Sequence, residues 1–136
     1  FFAAGGDEGG LLSTAGDYAR FGQMLLNGGE LDGVRILGRK TVEYMTADHS
    51  EGMVIPTRGP GFGWGIGVVG HHSNAGLPVM RSIGAYGWSG AAGTNYFGDP
   101  KEGLLLVCFT QVLNRLMMPG NTYWEEMERI VYQALA

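Results

Sequence analysis

Gly84-Ala85-Tyr86-Gly87-Trp88-Ser89-Gly90-Ala91-Ala92-Gly93-Thr94-Asn95-Tyr96-Phe97 decides how the rest of this chain is read. It sets four glycines among aromatic residues, without a single charge, in two strand-like runs. Glycine weakens a strand interior, so a strand keeps it mainly where a bulge, a ligand or another backbone comes close. A Trp-Ser-Gly tripeptide at a strand end, followed by small residues, leaves backbone N–H groups within reach of a substrate. That is what one wall of an oxyanion hole requires. A tight hairpin around a buried tryptophan is the plainer reading of the same residues.

Outward from this stretch, strands are expected over about 83–89 and 93–98, joined to the next by a turn at Gly98-Asp99-Pro100-Lys101-Glu102-Gly103. Leu104 to Gln111 lacks polar alternation, as a central strand covered on both faces would. Upstream, Phe62-Gly63-Trp64-Gly65-Ile66-Gly67-Val68 alternates large residues with glycine. At a period of two, one face carries Phe62, Trp64, Ile66 and Val68 and the other is bare backbone, open to close approach by another layer. Residues 70–82 read as a loop, as do 48–60, which contain two prolines.

Thr14 with Asp17 three residues on resembles a capping box, and Tyr18, Phe21, Leu25 and Leu26 form one helical stripe. Asn27-Gly28-Gly29 ends that helix. Asp32-Gly33 predicts a two-residue turn in a small hairpin over 30–36, followed by a short helix over about 39–47 presenting Val42 and Met45. A last helix over about 122–135 is capped by Thr122. It carries Trp124, Met127, Val131 and Leu135 on one stripe, with Ile130 and Ala134 beside it and Glu125, Glu126 and Glu128 on a solvated face. Short connections between strands predict a mostly antiparallel sheet flanked by helices, an α+β class in one domain over 1–136.

The chain is 45% hydrophobic and 16% charged, a globular composition. Its net charge of -4 and the lack of a basic patch argue against nucleic acid as a partner. No apolar run approaches the roughly 20 residues that cross a bilayer, so no membrane partner is expected. Twenty-five glycines far exceed the usual share of about 7%. The start at Phe1, without methionine or a signal peptide, hints at a fragment. The single cysteine, Cys108, sits in an apolar run and reads as a buried, inert thiol; compartment stays open.

Candidate chemistry is sparse. His49, His71 and His72 read as solvated loop residues without metal-site spacing, and no CxxC exists, so neither metal nor cofactor is expected. Asp99 before Pro100 is expected to bond the backbone that follows it. Glycines 63, 65 and 67 alternate with apolar residues and are no phosphate loop. Trp64 and Trp124 read as core residues.

The remaining segment, around Trp88, completes a set of matches. These are Gly9-Gly10-Leu11-Leu12-Ser13-Thr14-Ala15 with Asp17-Tyr18-Ala19-Arg20-Phe21, Met24 through Gly33, Gly61-Phe62-Gly63-Trp64-Gly65, Gly87 through Thr94, and Asp99-Pro100. With them the chain resembles the C-terminal part of the serine β-lactamase-like hydrolases, the family of class C β-lactamases, penicillin-binding-protein-like peptidases and related esterases. The resemblance implies a partial β-lactamase/transpeptidase-like fold. In that family Ser-x-x-Lys supplies nucleophile and base, Tyr-x-Asn assists proton transfer, and Lys-Thr-Gly, His-x-Gly or Trp-x-Gly lies on a strand beside the serine. Trp88-Ser89-Gly90 matches the Trp-x-Gly form, so the resemblance makes these three residues substrate-binding and the Ala91 N–H one oxyanion donor.

The departures are as informative. None of Ser13, Ser50, Ser73, Ser82 or Ser89 has lysine three residues later, and no tyrosine is followed two residues on by asparagine. Ser89 has no histidine or lysine close in sequence to activate it. Trp88 where the family also uses lysine offers an apolar wall and one N–H donor, which tilts the expected substrate towards neutral esters or similar acyl compounds. The chain is therefore expected to contribute a pocket wall to a carboxylesterase-type serine hydrolase acting on a small acyl substrate, and to be inactive alone. An alternative is a non-catalytic binding or assembly module, forming a homo-oligomer through its exposed sheet, or a half complemented by an N-terminal segment.

Overall fold

The computed structural model describes residues 12–74, 79–113, 118–120 and 122–135. Helix α1 (Ala15–Leu26) begins where the Thr14 hydroxyl accepts the Asp17 N–H. The Asp17 carboxylate returns a contact to that hydroxyl, at 2.8 Å, rather than to the Thr14 backbone as a full capping box would. The helix closes with a Schellman pair, Gly29 N–H to Met24 O and Gly28 N–H to Leu25 O. β1 (Glu30–Leu31) and β2 (Val34–Arg35) form the expected hairpin, with Asp32 and Gly33 both at positive φ (51° and 77°). Helix α2 (Arg39–Thr46) follows and buries Val42.

The main sheet is an antiparallel meander of β3 (Phe62–Trp64), β4 (Val69–His71), β5 (Tyr86–Ser89), β6 (Asn95–Asp99) and β7 (Leu104–Cys108), in that spatial order. Helix α3 (Tyr123–Gln133) completes the described chain. Helices α1 and α2 cover one sheet face, where Met24, Leu25, Val42, Val68, Tyr86 and Tyr96 form a core against Leu105 and Val107. Helix α3 covers the other, packing Trp124 and Tyr132 on Phe97, with Leu104, Leu106 and Cys108 beside them. The class is α+β, as expected.

Several expectations need correction. The seven residues from Phe62 to Val68 are not one strand. Gly65 N–H bonds Val68 O at 2.8 Å and Gly67 takes a φ of 76°, so the run folds back into β4. Val69 and Gly70, expected in a loop, therefore pair on both sides, and His71 pairs with Phe62 while its N–H bonds Ala85 O just ahead of β5. The bare glycine face is used as anticipated. A Cβ added to Gly65 would stand 2.1 Å from the Met45 carbonyl oxygen, so the end of α2 lies directly on this backbone.

Second, β7 is an edge strand among the described residues, not a central one. Its lack of polar alternation arises because successive side chains meet α1 on one face and α3 on the other. Third, His71 lies within β4, fully buried, with its ring stacked on Phe62 at 4.9 Å. Fourth, Glu128 is buried and pairs with buried Arg81 at 2.6 Å. The inward line of α3 is Trp124, Glu128 and Tyr132, at spacings of four, while Ile130 and Leu135 face out. Thr122 does not cap the helix with its side chain; its hydroxyl donates to Glu126 instead.

Candidate functional site

The end of β5 is where the sheet opens. Strand β4 pairs with β5 only at Val69–Gly87 and Gly70–Tyr86, so Trp88 and Ser89 run past its end while β6 still holds them from the other side. A Cβ on Gly87 would stand 2.1 Å from the Tyr96 carbonyl oxygen. That strand glycine thus admits the neighbouring strand rather than a ligand.

Beyond Ser89 the chain turns tightly. Gly90 N–H bonds Thr94 O at 2.8 Å and Gly93 N–H bonds Gly90 O at 3.0 Å. The turn is tied down from outside. Ala92 O accepts the Val112 N–H at 3.0 Å and the Thr110 hydroxyl at 2.7 Å, and Gly93 O accepts the Tyr123 hydroxyl. Ala91 sits exposed at the tip, and its N–H has no backbone partner among the described residues.

The wall beside this turn is assembled from three segments. Trp88 is half-buried, its inner edge on the α1–α2 core. Trp64 from β3 leans across at 4.4 Å between ring centroids, tilted by 54°. Arg58 comes from a turn in which Arg58 N–H and Gly59 N–H both bond Ile55 O, at 2.9 and 2.8 Å, with Ile55 buried beneath. Its guanidinium lies 5.5 Å from the Trp88 ring and donates through Nη2 to Ser89 Oγ. Burial, with repulsion from Arg81, pulls the Arg58 pKa down to about 10, against the pull of Glu125 and Glu128. It remains a cation at neutral pH.

The structure thus brings Trp88, Ser89, Gly90 and Ala91 into one strand end and turn. Ser89 Oγ faces a guanidinium, which cannot accept a proton and so cannot serve as a base. Arg58 escaped the sequence reading because it lies 31 positions from Ser89 in a Pro-flanked loop with no periodicity. Trp64, read as core, is partly exposed at this wall, whereas Trp124 is core as expected. Asp99 is fully buried and accepts Lys101 and Glu102 N–H groups as anticipated, and also Ser82 N–H at 2.9 Å and the Tyr132 hydroxyl at 2.5 Å. Among the described residues no three metal-ligating side chains converge, and no helix is long and apolar enough to cross a membrane.

Known proteins are similar to this chain in sequence and in fold. The protein Rv1367c of Mycobacterium tuberculosis (strain ATCC 25618 / H37Rv) is 37% identical over 113 residues, covering 76% of this chain and 28% of its own length. Esterase/beta-lactamase LipL of the same organism is 32% identical over 108 residues, covering 79% and 23%. The solved structure of EstCE1, a hydrolase with promiscuous acyltransferase activity, superposes with a TM-score of 0.70 over 88% of this chain and 30% of that one, at 24% identity. The chain spans less than a third of each of these proteins. A family model described as Beta-lactamase matches residues 2–125. With the family pattern running from the first residues into α3, this chain belongs to the β-lactamase family of serine hydrolases.

Proposed function

We propose that Trp88, Ser89, Gly90 and Ala91 form one wall of the acyl pocket of a carboxylesterase-type serine hydrolase, with the Ala91 N–H as one oxyanion donor. The observation that supports this reading best is the open end of β5. There a half-buried indole, a strand edge that β4 no longer covers and the N–H of exposed Ala91, without a backbone partner among the described residues, lie within four residues. Such an N–H, held by a turn tied to the segment after β7 and to α3, is pre-aimed and need not reorganise as charge develops on a carbonyl oxygen.

The nucleophile belongs to a Ser-x-x-Lys segment outside these 136 residues. Its hydroxyl would add to the ester carbonyl, passing its proton to a base; the adduct would then break the ester C–O bond, the departing alcohol taking that proton, and water would hydrolyse the acyl-serine to the acid and the free serine. The chain by itself is accordingly inert. Reading the gene in frame upstream of Phe1 should reveal Ser-x-x-Lys. A fluorophosphonate probe should label that longer product and leave residues 1–136 unlabelled; specific labelling of the short chain overturns the reading.

A second reading, assembly through the sheet, draws on one observation: the outer edge of β7 has no strand partner among the described residues. The two faces of β7 do not need cover from another molecule, since α1 and α3 already meet them. Among the described residues that edge, with the outer edge of β3 that likewise has no strand partner, offers the association surface for a second copy or a complementing segment. Light scattering of a clean monomer at high concentration counts against association of copies.

A further inference from the structure

We propose that Arg58 is the anion receptor of this site and that it selects esters carrying a carboxylate close to the scissile bond. This rests on the reading of Trp88–Ala91 as an acyl-pocket wall and narrows its substrate class.

Five ion pairs occur among the described residues. They engage Arg20, Arg35, Arg39, Lys40 and Arg81, and none includes Arg58. The comparison with Arg81 is direct: that buried guanidinium over the Phe97 ring has Glu128 at 2.6 Å. Arg58 is likewise drawn out of water onto an aromatic face, yet its only side-chain hydrogen bond among the described residues goes to the neutral Ser89 hydroxyl. Glu125 and Glu128 pull on this cation across space without closing an ion pair on it, and a planar fork with unused N–H donors fits a carboxylate bidentately. The fork is fixed in place. Ile55 anchors its turn, Trp88 supports one face and Ser89 holds one nitrogen. Trp88 had argued for neutral substrates because the strand lost a lysine; Arg58 returns a cation to the same wall from another segment.

The test uses the longest natural polypeptide that carries this chain. Benzoate and its uncharged analogue benzamide are titrated against it by calorimetry at pH 7, and mono-4-nitrophenyl succinate is compared with 4-nitrophenyl butyrate as substrate. Benzoate is expected to bind at least tenfold more tightly than benzamide. Arg58→Gln should erase that difference and lower the succinate-to-butyrate ratio of kcat/KM about tenfold or more, while Arg58→Lys retains part of both. The preference of the unaltered protein for benzoate over benzamide is a readout that survives even if a variant fails to fold. Equal binding of benzoate and benzamide by the unaltered protein, or an unchanged ratio in Arg58→Gln, overturns the proposal and leaves the hydrolase reading standing. Arg58-dependent benzoate binding without hydrolysis of either ester does the reverse.

Discussion

At the scale of single residues, the proposed chemistry reduces to one amide. Proline at position 91 removes the Ala91 N–H without adding a charge. In the polypeptide that carries the nucleophile, Ala91→Pro is expected to lower kcat by about 10²–10³-fold, the worth of one oxyanion donor. Thermal unfolding of the same variant separates this from collapse of the turn, since a tip residue that is exposed should move Tm little. Gly65 offers the opposite contrast. Alanine there drives a Cβ against the Met45 carbonyl, backbone that cannot swing aside, and should cost about 1–3 kcal/mol in denaturant unfolding. The glycine-rich wording of Phe62–Val68 made such an approach readable. Nothing in it marked which glycine turns the chain, because a left-handed φ at Gly67 and an extended Gly63 look alike in one-letter code.

Among elements, the docking of α3 depends on a pair invisible to periodicity. Glu128 lies four residues from both Trp124 and Tyr132, on the helix's inward line, and finds Arg81, 47 positions away. Removing one partner strands a buried charge. Glu128→Ala should therefore destabilise by about 3–5 kcal/mol, whereas Arg81→Met with Glu128→Leu together should recover most of the loss. Chemical denaturation of the three proteins checks this. Elements with local signals were readable in advance: α1 from its cap and stripe, the β1–β2 hairpin from Asp32-Gly33, and β5 and β6 from the opening stretch. β4 was not, since three residues carry no period and its identity comes from partners on either side. The wall of the site divides the same way. Trp88 through Ala91 are contiguous and could be named, while Arg58 and Trp64 arrive only through folding.

For the molecule as a whole, Asp99 joins sheet, loop and terminal helix at one carboxylate. Burial alone would push its pKa up, but hydrogen bonds from the Tyr132 hydroxyl and from Ser82 and Glu102 outweigh this and hold it below the usual value. A carboxyl with a depressed folded-state pKa adds stability that is present above its unfolded value, near 3.9, and is lost as pH falls through the folded one. Unfolding free energy should thus be flat from neutrality to about pH 5 and decline below pH 4. Asp99→Asn should flatten that decline, measured by urea titration from pH 3 to 7. The Tyr123 hydroxyl on the Gly93 carbonyl has a wider consequence. A protease nick or a substitution that disturbs only α3 will be felt at the turn thirty positions earlier.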